Sequence, residues 1–228
     1  LELSKVSSGR IIFIKTPKTA GTSMVRWLEH EYGSPLVIEC KAGKPIRIPK
    51  SAEIKKSRYI VVTDVLACQL FAKYSKVFEN IPKIAIVRNP CTRFASAYAH
   101  FERETNMPSM ESLLCGRGRM HRIKPMLSNL CSIYNNQHVH LWSRQYDFLY
   151  RHKKPLYTSL LRFEELDRIH QLCIPGATLP DIEFPHPNKK PEILGESHLS
   201  ENCRLQIAKI FYIDYKYFNY KPKLEHNS

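Results

Sequence analysis

Short apolar runs rich in β-branched residues recur along the chain, and most are followed by a loop and then by apolar positions at helical spacing. The runs predict buried strands near residues 11–15, 36–39, 59–63, 83–87 and 156–161. Between them, Met24, Val25, Trp27 and Leu28 mark a helix that Thr22 or Ser23 is placed to cap and that ends near Tyr32 and Gly33. Leu66, Leu70, Phe71 and Tyr74 mark a second helical stretch, and Phe94, Ala97, Tyr98 and Phe101 a third. Residues 137–150 read as helical with Val139, Trp142, Tyr146 and Leu149 inward. Residues 199–218 read as one last helix, with Leu205, Ala208, Ile210, Phe211, Tyr215 and Phe218 on its packing face. Strands alternating with helices over 228 residues predict a single α/β domain. The expected architecture has three layers and is P-loop-like, with a mostly parallel five-stranded sheet flanked by helices. Residues 41–57 read as a basic, proline-punctuated connection, and 104–136 as a variable insert holding a helix or two.

The chemistry concentrates where the first strand meets the first helix. Thr16-Pro17-Lys18-Thr19-Ala20-Gly21-Thr22-Ser23 is a loop of small and hydroxyl residues with one lysine. Strand, tight loop and helix N-terminus together form an anion site: free N–H groups and the positive end of the helix dipole converge, and Lys18 adds a full charge. A Walker A loop places its lysine directly before the final hydroxyl residue. Here the lysine comes first, so the nucleoside-triphosphate version is not what the order describes. The loop resembles the 5′-phosphosulfate loop of sulfotransferases that use 3′-phosphoadenosine 5′-phosphosulfate (PAPS), in the carbohydrate group that includes heparan 2-O-sulfotransferase and small bacterial members.

A second segment agrees. The strand at 83–87 runs into Arg88-Asn89-Pro90, and Arg93, Ser96 and Tyr98 follow on a helix. It is similar to the second signature of the same family. That resemblance implies that Arg88 and Ser96 hold the 3′-phosphate of PAPS, with Arg93 in the motif but less clearly a ligand. Arginine suits the task because its planar fork bonds phosphate bidentately. Residues 162–166, with Glu164 in a structural role, the loop 184–190 with Lys189 and Lys190, and the closing stretch 212–220 also resemble the family.

The resemblance implies transfer of a sulfuryl group to an acceptor hydroxyl on a carbohydrate, with 3′,5′-ADP as product and no metal. Lys18 is the group for the leaving oxygen. The remaining cofactor contacts fall on Pro17, Thr19, Ala20, Gly21, Thr22, Ser23, Arg88 and Ser96. A base is also needed. The family's histidine after the third strand has no counterpart here, so Asp64, at the end of the third predicted strand, takes the role by position; Glu29, His30 and His100 are alternatives. The rivals are a P-loop-type kinase using Lys18 and Asp64, and a non-catalytic basic module for polyanions.

Composition narrows partners more than chemistry. Thirty-five Lys and Arg against 21 Asp and Glu give a net charge of +14. This favours polyanionic partners: nucleotide cofactors, acidic glycans, nucleic acid or anionic membrane, among which charge alone does not choose. The resemblance points to an acidic glycan, and aromatics sitting mainly at helix core periods leave no nucleic acid expected. No run reaches the length of a membrane span. The short length, the missing Asn-x-Ser/Thr sequons and the Val87-Arg88-Asn89-Pro90 form resemble bacterial cytoplasmic members, with a Golgi-luminal catalytic domain as the alternative. The seven cysteines show no zinc spacing. Cys115 and Cys131 flank the insert and could bridge in an oxidising compartment. Oligomeric state is not legible.

Overall fold

In the computed structural model, residues 9–38, 49–63, 71, 73–102, 109–115, 141–171, 174–185 and 199–223 are described. Five strands form one sheet: β1 (Ile11–Lys15), β2 (Leu36–Ile38), β3 (Tyr59–Thr63), β4 (Lys83–Val87) and β7 (Ser159–Arg162). Their order is β2-β3-β1-β4-β7, and every pairing is parallel. The expected architecture is therefore present, with the last strand starting later than the sequence pattern predicts.

The two faces of β1 build the two halves of the core. Ile11 and Phe13 pack with Met24, Trp27 and Leu28 of helix α1 (Gly21–Tyr32). Ile12 and Ile14 point the other way, into a cluster with Phe148, Leu149 and Phe218. This alternation is the period of a strand, and burial on both faces is why the run carries no polar residue. Each large side chain so buried contributes about 1.5–3 kcal/mol. Trp27 is fully buried, and its indole N–H donates to the Ile182 carbonyl at 2.9 Å.

Helix α4 (Pro90–Glu102) starts at a proline, whose missing N–H costs nothing at a first turn. Asn89 precedes it, and its Oδ1 accepts from the Cys91 and Thr92 amides at 2.9 and 3.4 Å. The remaining helices are α2 (Ser51–Lys56), α3 (Ser75–Phe78), α5 (Met110–Cys115), α6 (Gln145–Leu149), α7 (Glu201–Ile210) and α8 (Tyr212–Tyr217), with a 3-10 helix at Phe163–Gln171. No described helix is long and apolar enough to cross a membrane.

Two local expectations fail, and one element was not foreseen. The helix over 137–150 is interrupted at residues 143–144 before α6 begins. The break is where the buried Arg93 Nη2 donates to the Ser143 carbonyl, at 2.8 Å. The single helix over 199–218 is two, divided at Phe211 (φ −105°, ψ 24°), and its buried face runs through Cys203, Ile207, Phe211 and Tyr215 rather than Leu205. Between α6 and β7 lies a hairpin, β5 (Tyr150–Arg151) and β6 (Lys154–Pro155), that no glycine announces. Its turn residues His152 and Lys153 adopt φ of 49° and 63°, the left-handed pair that a two-residue turn demands.

Candidate active site

The chain passes from β1 to β2 and β3 on one side of the sheet, then returns to lay β4 on the other side of β1. Loops leaving the carboxyl ends of β1 and β4 therefore diverge around a crevice at the topological switch point, where ligands bind in open α/β sheets. The two predicted motifs are these two loops.

The loop after β1 is pinned from inside. Thr16 and Thr19 are fully buried. Thr16 Oγ1 donates to the Ile86 carbonyl of β4 at 2.7 Å, and Thr19 Oγ1 lies 2.8 Å from the Thr16 hydroxyl and 3.0 Å from its carbonyl. The Thr19 hydroxyl is thus engaged within the loop, leaving its backbone as the part that can meet a ligand. Lys18 and Ala20 both sit at φ 61°, in left-handed backbone where neither is a glycine. Such residues between ordinary ones turn successive N–H groups toward one side, the concavity that holds anions. Strain of this kind costs on the order of 1–3 kcal/mol and persists only when the surroundings impose it.

Helix α1 begins at Gly21, earlier than a cap at Thr22 or Ser23 predicts. Its N-cap is Ala20, with no side-chain cap, so neither Thr22 nor Ser23 closes the first turn. The first amides stay available to a ligand instead. The glycine makes room for the Lys15 stem: a Cβ at position 21 would lie 2.7 Å from Lys15 Cγ and 2.8 Å from its Cε, so that side chain would have to shift. Pro17 and Ser23 are buried, Lys18 and Ala20 half-buried, and Thr22 exposed.

Arg88 follows β4 and reaches this loop, its Nη1 donating to the Lys18 carbonyl at 3.4 Å. Its Nε donates to Thr92 Oγ1 at 3.1 Å, and its guanidinium lies 4.0 Å from the centre of the Phe163 ring. Burial lowers its pKa to about 10, with Glu164 opposing, so it keeps its charge at neutral pH. Ser96, half-buried, sits one turn beyond Thr92 on α4 and so shares the face that Arg88 touches.

The main chain of Arg88 is held by a residue that the sequence pattern did not single out. Gln145, fully buried, accepts from the Arg88 N–H through Oε1 and donates to the Arg88 carbonyl through Nε2, both at 2.8 Å. Asp214 then caps α6: its carboxylate accepts from the Gln145 and Tyr146 amides, each at 2.9 Å. Burial raises the Asp214 carboxyl to about 6, against the pull of Arg93 and those two amides. Glu164 accepts from the Asn89 amide and from the Tyr220 hydroxyl, each at 2.8 Å, which is the structural role predicted for it. The only advance signals were a glutamine inside an apolar helical stripe and an aspartate in the closing motif.

Other predicted residues lie elsewhere. Arg93 is fully buried, 4.9 Å from the Phe211 ring centre and electrostatically paired with Asp214, so it supports the scaffold instead of facing the crevice. Glu29 and His30 are exposed near the far end of α1, roughly 12 Å along the helix from its start, and Glu29 accepts from Ser34 Oγ at 3.1 Å. His100 is exposed near the far end of α4. None of these three alternative bases is placed at the loop. Asp64, Lys189, Lys190 and Cys131 lie outside the described residues. Cys115 is placed beside Cys203, and both are free thiols.

The Sulfotransferase family model matches residues 7–221, which includes both loops and the closing helices. A solved structure similar to this chain is a sulfotransferase from Alicyclobacillus acidocaldarius, at 15% identity and a TM-score of 0.48, covering 91% of this chain and 93% of that one. No curated protein sequence matches.

Proposed function

The chain belongs to the sulfotransferase family, and from that premise we propose that it moves the sulfuryl group of PAPS to an acceptor hydroxyl on a carbohydrate. The observation that carries this reading is the approach of Arg88 to the Lys18 carbonyl, which puts two separate anion-binding loops side by side. The donor set suits a nucleotide phosphorylated at both ends of its ribose. One loop offers the open amides of a helix N-terminus with a lysine. The other offers a half-buried guanidinium and, one turn along the same face, a serine.

PAPS supplies an activated sulfuryl group on its 5′-phosphate and a second handle in its 3′-phosphate. In this reading, Pro17 to Ser23 enclose the 5′ side, chiefly through backbone N–H groups, and Lys18 neutralises charge on the bridging oxygen as it departs. Arg88 and Ser96 bind the 3′-phosphate and set the distance between the two ends. Asp64 directly follows Thr63 of β3, which pairs with Lys15, and takes the proton of the acceptor hydroxyl. The residues mainly position the reactants and stabilise developing charge. Net charge of +14 supports an acidic acceptor.

Calorimetry with 3′,5′-ADP and, separately, ATP with Mg²⁺ tests the donor half. One site for 3′,5′-ADP and no comparable binding of ATP is the expected result; the reverse preference would return the protein to the kinase reading. An acceptor screen with PAPS and hydroxyl-bearing glycans then tests the transfer itself.

A further inference from the structure

A second site lies away from the crevice, where α5 meets the first turn of α7. Glu111 and Cys115 are four residues apart on α5 and so project from one face of it. Cys203 comes from α7, 88 residues later in the chain, and is buried. The Glu111 carboxylate and the two sulfurs all lie within 4.8 Å of one another. Cys203 Sγ donates to Glu111 Oε2 at 2.8 Å. The carboxylate is fixed from its outer side as well: Ser200 Oγ donates to the same oxygen at 2.7 Å, and Asn202 Nδ2 approaches the other at 3.4 Å. Ser200 is itself fixed as the cap of α7, accepting from the Cys203 amide at 3.2 Å.

We propose that Glu111, Cys115 and Cys203 bind a thiophilic divalent cation, Zn²⁺ in the first instance, as a structural clamp between α5 and α7. Two thiolates and a carboxylate form a donor set that suits Zn²⁺ and disfavours Mg²⁺ or Ca²⁺, which take oxygen ligands. A tetrahedral ion with Zn–S of about 2.3 Å spaces its ligand atoms by about 3.8 Å, so the present spread closes with side-chain movement alone. Binding exchanges the two thiol protons for the cation, and a water completes the fourth position on the exposed Glu111 side. Ser200 and Asn202 act as the outer partners that orient a ligating carboxylate. The clamp would tie down α7, which packs with α4, the helix that carries Ser96. This site does not depend on the sulfotransfer reading.

The test is anaerobic titration of the reduced, metal-free protein with Zn²⁺ and, as an optical probe, Co²⁺. About one equivalent of Zn²⁺ should survive desalting, and Co²⁺ should give a thiolate charge-transfer band with the visible absorption of a tetrahedral ion. The double variant Cys115→Ser/Cys203→Ser should lose the band. Glu111→Gln, an exposed change expected to leave the fold intact by circular dichroism, should weaken Zn²⁺ binding at least about 10-fold; it carries the test if the buried cysteine variant does not fold. The proposal is overturned if the wild type retains no Zn²⁺ or if the band persists in the double variant. Unchanged Zn²⁺ affinity in Glu111→Gln would also overturn it. So would peptide mapping that finds Cys115 and Cys203 joined as a disulfide in protein purified without reductant.

Discussion

Gln145 does for Arg88 what a neighbouring strand would do, closing its N–H and C=O together. Replacing it with leucine leaves both groups inside the protein without that partner, at about 1–3 kcal/mol each. Gln145→Leu should therefore lower unfolding free energy by roughly 2–6 kcal/mol and weaken 3′,5′-ADP binding, because Arg88 loses its aim. Unchanged denaturation midpoint and nucleotide affinity would show that the clamp is dispensable. Lys18 predicts a different signature. Its charge matters most when the leaving oxygen gains charge, so Lys18→Ala should reduce kcat by ~10²–10³ while nucleotide binding changes less. Near-normal turnover would remove it from catalysis. At Gly21 the difficulty is steric. Gly21→Ala forces a methyl against the Lys15 stem, for about 1–3 kcal/mol, and adding Lys15→Ala should recover most of that loss in a thermal melt. If the second change recovers nothing, the Lys15 contact does not explain the glycine.

At the level of elements, β1, β3 and β4 were legible because their apolar runs of four or five residues are buried on both faces, as in a parallel sheet between helix layers. The edge strands β2 and β7 are less buried. The helix ends were not legible, because distant side chains set them. The break before α6 depends on Arg93 reaching Ser143, and the start of α6 on Asp214, 69 residues beyond Gln145. No local pattern encodes either. The cap on α6 gives a pH test. Asp214 ionises more readily unfolded, at the ordinary aspartate value of 3.8, than folded, at about 6. Between those values the folded state binds more protons than the unfolded state, so this residue makes stability fall as pH rises from 4 to 6, then level off. The loss is on the order of 3 kcal/mol, at about 1.36 kcal/mol per unit. Asp214→Asn does not titrate, so wild-type stability measured relative to it should decline over that window and stay flat above. A difference that is constant from pH 4 to 7 would reject the assignment.

Across the whole molecule, both candidate anion-binding loops could be read from the chain, but their meeting could not. It follows from strand order: β4 lies next to β1 because β2 and β3 take the other side, and Thr16 then reaches across to Ile86. The sequence separates Lys18 from Arg88 by 70 residues, and only the sheet makes them neighbours. The same division between buried and surface charge predicts how the protein responds to salt. Arg88 is half-buried, so the hold on a phosphate proposed for it should be less screened, whereas most lysines and arginines among the described residues are exposed. Raising ionic strength from about 0.01 to 0.15 M shortens the screening length from about 30 to 8 Å. The KM for an acidic glycan should therefore rise several-fold over that range, while the Kd for 3′,5′-ADP and the KM for a neutral acceptor should move much less. Parallel slopes for acidic and neutral acceptors would mean that the basic surface takes no part in choosing the substrate.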